Sequence, residues 1–185
     1  MQTTRLPRGY FGIGVQGISK SANAGALFRS AHAFGASFVF AIAPNVDVKA
    51  VNRVDTSGSE GHVPLYVHKS VEDFTLPRGC RLVGVELLDE AIELPSFRHP
   101  ERAAYVLGPE KGSLSPELVA RCDFTVKIPT KFCVNVGVAG AILMYDRLLQ
   151  QGRFADRPVR SGGPTEPLRD HIHGKQIIRT PRPKG

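Results

Sequence analysis

The sequence lacks the features that would place it in several common classes. It has three cysteines, Cys80, Cys122 and Cys133, odd in number, far apart and with no Cys-x-x-Cys pair, so neither a disulfide framework nor a zinc knuckle is expected and a reducing compartment fits best. It has no long hydrophobic run. The longest, Val134 to Tyr145, carries Asn135 and falls well short of the roughly 20 residues a membrane-spanning helix needs. Arg5 and Arg8 precede the apolar stretch Phe11 to Ile18, but Gln16 and three glycines interrupt it and no small-residue cleavage pattern follows, so no secretory signal is expected. The six histidines form no ligand set with Cys or carboxylate spacing, and no metal is expected. Internal repeats are absent. These absences point to a soluble, cytoplasmic protein.

Within its 185 residues the chain is 42% hydrophobic and 22% charged, ordinary globular composition with enough apolar residues for one sizeable core. Its net charge of +7 is unevenly spread. From Arg153 to Gly185 eight Lys and Arg side chains stand against three acids, so five of the seven positive charges lie in this tail. Such a segment is consistent with attraction to a phosphate backbone, although a solvated tail that keeps the protein soluble has the same composition.

Short apolar runs alternate with helical spacing. Tyr10–Ile18, Ala36–Ala43, Val63–Val67, Arg81–Val85, Ala103–Leu107 and Phe124–Ile128 read as strands. Leu27, Phe28, Ala31 and Phe34 give Asn23–Phe34 a helical face, with Ser21 or Asn23 as cap and Gly35 as stop. A short helix is expected over Ser70–Phe74, and another after Ser115-Pro116-Glu117, where a hydroxyl cap, a first-turn proline and an acid suit a helix start. Val134–Leu149 is the last helix, apolar on nearly all sides up to Met144 and therefore buried in the subunit or against another. The alternation predicts an α/β domain over 1–151, a mostly parallel sheet flanked by helices. From Gly152 the pattern dissolves into a polar, Pro- and Gly-punctuated tail, 152–185, with little structure of its own.

Gly12-Ile13-Gly14-Val15-Gln16-Gly17 spells G-x-G-x-x-G, but the glycines fall inside the first strand. The acid that would hold a ribose about 20 residues on is missing. Gly108-Pro109-Glu110-Lys111-Gly112-Ser113 is not a triphosphate loop either: the spacing is wrong and Pro109 removes an amide donor. It does form a tight turn at the carboxyl end of a buried strand, where open α/β sheets bind ligands, and it carries one carboxylate. The segment Ile128-Pro129-Thr130-Lys131-Phe132-Cys133-Val134-Asn135-Val136-Gly137 places a polar amide and small residues where a strand gives way to a helix. Core packing explains the small residues. It does not explain Asn135, which if buried must find partners or cost a few kcal/mol. Arg29, six residues after Asn23, is either a surface charge or a fork of donors for a phosphate.

Together, in this order and spacing, Asn23 with Arg29, the Gly108–Ser113 turn with Glu110, and the segment around Asn135 resemble the three motifs of the SpoU/TrmH family of S-adenosylmethionine-dependent RNA ribose methyltransferases, over about Tyr10 to Gln150. The resemblance implies the SPOUT α/β fold with a carboxyl-terminal deep trefoil knot, an exception to the rule that chains avoid knots. It also implies a homodimer with the site at the subunit interface, S-adenosylmethionine as cofactor, and tRNA or rRNA as substrate. By position it makes Arg29, Asn23, Glu110, Asn135 and Cys133 candidate catalytic residues. Leu107, Gly108, Pro109, Glu110, Gly112, Ile128, Pro129, Val134, Asn135 and Gly137 become candidate cofactor-binding residues. Cys133 and Gly137 depart from the serines usual in the family, and a thiol is a weaker hydrogen-bond partner than a hydroxyl. A guanidinium stays protonated in proteins, so Arg29 is expected to clamp phosphate and developing alkoxide rather than act as base. Two alternatives stand beside ribose methylation: methylation of a base atom on the same fold, and an RNA-binding protein that kept the fold without the chemistry.

Overall fold

The computed structural model describes residues 9–54 and 63–152, with 154, 157, 158, 161 and 162 beyond them; of 52–54 it describes the backbone alone. Two compact units divide the chain, Met1–Arg153 and Phe154–Gly185. Most of the expected basic tail lies outside the described residues, and the elements and the site all belong to the first unit.

The elements run β1 (Tyr10–Gln16), α1 (Ser21–Ala33), β2 (Phe38–Ile42), α2 (Val48–Val54), β3 (Leu65–His68), β4 (Arg81–Val85), β5 (Ile92–Glu93), a 3-10 turn (Leu94–Ser96), β6 (Arg102–Leu107), α3 (Pro116–Arg121), β7 (Phe124–Lys127) and α4 (Val136–Gln151). The strands form one seven-stranded sheet in the order β3-β2-β1-β6-β4-β7-β5, and every pairing is parallel. All carboxyl ends therefore share one edge. The order reverses between β1 and β6, which makes a crevice at that edge, the position open α/β sheets use for ligands. Among the described residues no helix is long and apolar enough to cross a membrane.

Each face of the sheet has its own core. On one, Phe11, Ile13 and Val15 of β1 and Ala103, Tyr105 and Leu107 of β6 pack with Leu27, Phe28 and Ala31 of α1 and Ala139, Leu143 and Met144 of α4. The other holds Phe38, Phe40, Ile42, Leu82, Ala104 and Val106 under Phe74, Leu114 and Leu118. Gly12 and Gly14 point to this second face: a Cβ on them would come within 2.3 Å of the Phe38 ring and 2.4 Å of Phe40. The glycine spelling of β1 is thus an aromatic packing requirement, worth about 1.5–3 kcal/mol per buried ring.

Two expectations fail. Residues 70–74 form a turn, not a helix, because so short a segment cannot offset the cost of nucleation. Phe74 is instead buried against Phe40, ring centroids 5.2 Å apart, while Arg121 donates to the carbonyls of Val71 and Phe74. Nor does Ser21 or Asn23 cap α1: the cap residue is Lys20, without a side-chain bond. Helix α2 and the two-residue β5 were not expected. Asp47, whose carboxylate accepts from the Ala50 amide at 2.9 Å, was the readable start signal for α2. Ser115 caps α3 as expected, its hydroxyl accepting from the Leu118 amide with Pro116 in the first turn.

The far end of α4 is fastened where β6 begins. Arg147, 2% exposed, donates to the carbonyls of Pro100 (2.6 Å) and Glu101 (2.9 Å) and to Tyr105 Oη (2.9 Å), and lies over the Phe11 ring. Because the Asp146 carboxylate can only accept, His99 Nε2 donates to it at 2.9 Å, and in the neutral ring that burial favours Nδ1 then accepts from the Tyr105 hydroxyl at 2.7 Å. Burial pushes the Tyr105 hydroxyl up to about 12. Burial also lowers the His99 pKa, against the opposing pull of Asp146.

Candidate functional site

At the carboxyl edge, loops that leave the strands are tied to one another by side chains. Gln16, last in β1, accepts from the Ser115 amide (2.8 Å) and donates to its hydroxyl (2.9 Å), which couples β1 to the cap of α3. Glu86, one residue past β4, accepts from the amides of Leu114 (2.7 Å) and Leu87 (3.0 Å). The turn between β6 and α3, 108–115, is thereby held from both sides.

Glu110 projects from that turn to the start of α1. Its Oε2 accepts from the Ser19 amide (3.0 Å) and hydroxyl (2.9 Å), its Oε1 from the Lys20 amide (3.0 Å) and Asn23 Nδ2 (2.9 Å). A carboxylate at the amino end of a helix also meets the positive end of its dipole. Burial works to raise its pKa, but the bonds from Ser19 and Asn23 override it and bring Glu110 down to about 2. Asn23, 9% exposed, passes the connection on: its Oδ1 accepts from Asn135 Nδ2 at 2.8 Å. Asn135 in turn caps α4, its Oδ1 accepting from the amides of Gly137 (2.9 Å) and Val138 (3.4 Å). Asn135 is thus exposed rather than buried, yet bonded through both ends of its amide, and one hydrogen-bonded relay, Glu110–Asn23–Asn135, joins the three motifs.

Beside the relay lies a cavity of about 310 Å³. Val85, Leu107, Ile128, Val134, Val136 and Ala139 supply apolar wall; Lys20, Asn23, Glu86, Glu110, Lys127 and Asn135 supply polar groups. Among the expected site residues, Asn23, Leu107, Gly108, Pro109, Glu110, Gly112, Ile128, Cys133, Val134 and Asn135 line it, whereas Pro129, Gly137 and Arg29 do not. Gly137 serves helix packing instead, since a Cβ there would come 2.9 Å from that of Ala26 on α1. Arg29 is exposed on α1. Sequence reasoning missed Lys20, Val85, Glu86, Leu87, Lys127, Thr130 and Val136. Glu86 had a signal, an acid directly after a buried strand; Lys127, which donates to the carbonyls of Leu88 and Asp89, had none. Among the described residues no group of three His, Cys, Asp or Glu side chains could hold a metal ion.

Comparison with known proteins accords with this geometry. The model of the SpoU rRNA Methylase family matches residues 11–145. The tRNA (guanosine(18)-2'-O)-methyltransferase of Thermus thermophilus is 28% identical over 153 residues, 78% of either chain. The enzyme of the same description from Escherichia coli is 25% identical over 72% of this chain and 61% of its own length. Among solved structures, one described as giving structural insights into the 2-OH methylation of C/U34 on tRNA superposes with a TM-score of 0.65 at 27% identity, covering 77% of this chain and 91% of that one. The SpoU methyltransferase AviRb from Streptomyces viridochromogenes shares the fold, with a TM-score of 0.67 at 22% identity, over 80% of this chain and 62% of its own.

Proposed function

Because the chain belongs to the SpoU rRNA Methylase family, we propose that it is an RNA ribose 2'-O-methyltransferase that uses S-adenosylmethionine and acts on tRNA or rRNA. The observation that carries this reading is the Glu110–Asn23–Asn135 relay, which gathers all three motifs around one cavity at the carboxyl edge of the sheet.

The cavity residues fit the cofactor. The apolar wall suits a flat base, and Gly108 leaves no side chain in the way, where a Cβ would sit 3.1 Å from Glu86 Oε2 and 3.2 Å from the Leu114 amide. When bound, S-adenosylmethionine supplies a methyl group on a sulfonium, ready for transfer to a nucleophilic oxygen. The chain's own task is to position the ribose hydroxyl and to stabilise the charge it develops, and orientation accounts for much of such acceleration. Glu110 and Asn135 act in this scheme through the backbone they hold: one fixes the start of α1, the other the start of α4.

Arg29 is the proposed clamp on phosphate and developing alkoxide, working from a second copy of the chain. Its position outside its own cavity favours that arrangement, as does the exposed apolar stripe of Val138 and Tyr145, 49% and 50% accessible, on α4, the helix against which α1 packs. The trefoil knot is proposed for the segment that runs from β7 into α4; the insertion of β7 between β4 and β5 supports it.

The test is a map of ribose methylation across total RNA from cells with and without the gene. One 2'-O-methyl mark that disappears with the gene identifies RNA, position and chemistry together; a lost base methylation, or no lost mark, defeats the proposal. Arg29→Ala should abolish methylation while leaving S-adenosylmethionine affinity largely intact, as read by calorimetry.

A further inference from the structure

An adenosine cofactor presents two vicinal ribose hydroxyls, both able to donate, and those turned to the protein wall must find acceptors there or go unsatisfied. Two carboxylates line the cavity, Glu86 and Glu110. Glu110 is saturated: each of its oxygens already accepts two bonds, which uses the roughly four lone-pair positions a carboxylate has. Of the relay's neutral amide oxygens, Asn135 Oδ1 accepts from two backbone amides and Asn23 Oδ1 accepts one bond, from Asn135, and neither carries a charge to strengthen a sugar bond. Thr130 turns its hydroxyl to the carbonyls of Ile128 and Phe132. Glu86 is thus the carboxylate of this wall with capacity to spare, because each of its oxygens accepts a single bond, from Leu87 and from Leu114.

We infer that Glu86 is the ribose-diol receptor of the cofactor pocket, its two oxygens each keeping one lone pair for a sugar hydroxyl. The inference rests on the S-adenosylmethionine reading above. Three placements support it. Glu86 directly follows Val85, so its carboxylate begins where the apolar wall ends, as a sugar follows a base. It holds the Leu114 amide, and with it the 108–114 turn, so the acceptor is fixed before a ligand arrives. A carboxylate at a strand end is also a general solution to ribose recognition in α/β proteins. The competing occupant is the ammonium of the cofactor's amino-acid end, which would seek the same carboxylate.

Calorimetry on the full chain separates these readings, with S-adenosylhomocysteine, its 2'-deoxy and 3'-deoxy analogues, and 5'-methylthioadenosine, which keeps both hydroxyls but lacks the amino acid. Wild type should bind at least one deoxy analogue about tenfold or more weakly than S-adenosylhomocysteine, the loss expected for a hydrogen bond to a charged group. Glu86→Gln, which keeps an acceptor for the Leu114 amide, should weaken S-adenosylhomocysteine and 5'-methylthioadenosine by similar factors and bring the deoxy penalty close to one. Equal binding of diol and deoxy ligands by wild type overturns the assignment whether or not the variant folds. So does a Glu86→Gln variant that weakens every ligand alike, which would mean a role confined to holding the turn, or one that spares 5'-methylthioadenosine, which would place the ammonium there. Failure of wild type to bind S-adenosylhomocysteine at all would instead sink the cofactor reading on which this one stands.

Discussion

Helix α4 is fastened by a polar network at each end, and the two networks are built to opposite specifications. At its amino end the Glu110–Asn23–Asn135 relay borders an open cavity and is organised around a carboxylate kept ionised by its donors. At its carboxyl end Arg147, Tyr105 and His99 are buried, with Asp146 at the partly exposed rim, around a histidine whose burial favours the neutral form. One network orders backbone for a ligand; the other holds the helix in place. Mutations at the two ends should therefore separate, with stability lost chiefly at the buried end and binding lost chiefly at the cavity.

The sharpest break of that contrast is Arg147→Met. The substitution keeps much of the volume but strips the donors from two backbone carbonyls and from Tyr105 Oη, and each buried acceptor left without a partner costs about 1–3 kcal/mol. Chemical denaturation should show this as a lower midpoint. Near-wild-type S-adenosylhomocysteine affinity in the folded fraction would uphold the division between the two ends; a matching loss of affinity would erase it.

Glu110→Gln attacks the other end. It keeps the shape but replaces charge-assisted bonds with neutral ones and turns one oxygen into a donor facing donors, so about 1.5–3 kcal/mol of stability should go. Cofactor affinity should fall more steeply than for Arg147→Met. The substitution also tests a pH window. Because the folded pKa of Glu110, about 2, lies below its ordinary 4.5, its contribution is complete above 4.5 and is lost as pH falls through that value toward 2. Wild type should show a steeper acid slope there than Glu110→Gln, in which other carboxylates with lowered pKa, such as Asp123, still contribute.

A smaller effect should appear at higher pH, from His99. Its folded pKa is lowered from 6.5, so its contribution is complete above 6.5 and declines as pH falls below that, when the unfolded chain takes up a proton the buried ring refuses. Denaturation midpoints measured from pH 7.5 to 5 should decline for wild type and stay flatter for His99→Gln, even though that variant starts less stable. Because the His99 window opens two units above that of Glu110, acid should loosen the carboxyl end of α4 before it reaches the relay.

How much of this the sequence disclosed follows the same division. The relay was legible because its members sit in separated motifs with unusual residue types; Asn135 stood out as a polar amide in an apolar run, although it proves exposed and is the cap of α4 rather than a core residue. The buried network was not, because Arg147 and His99 look like surface residues in a one-dimensional reading; only the approach of α4 to the start of β6 makes them core. The strands were readable from their apolar runs. The 70–74 segment was not, because Ser70 and Asp73 carry helix-start signals too weak to outweigh the burial of Phe74. Glu86 could have been found as an acid at a strand end, but nothing in the sequence says that the other acid at that edge, Glu110, is fully occupied.

The smallest expected effect belongs to Cys133, which lines the cavity from an exposed position. Because the side chain supports no core packing, Cys133→Ser should change stability by less than about 0.5 kcal/mol, the usual bound for such a surface site. Its hydroxyl is a stronger donor and acceptor than the thiol, so any consequence must appear in ligand handling. If position 133 orients the cofactor or the RNA, the serine variant should bind or turn over better than wild type while its denaturation midpoint stays put. Unchanged binding and turnover would show that the thiol is a neutral occupant, and would leave the relay and Glu86 as the polar determinants of the cavity.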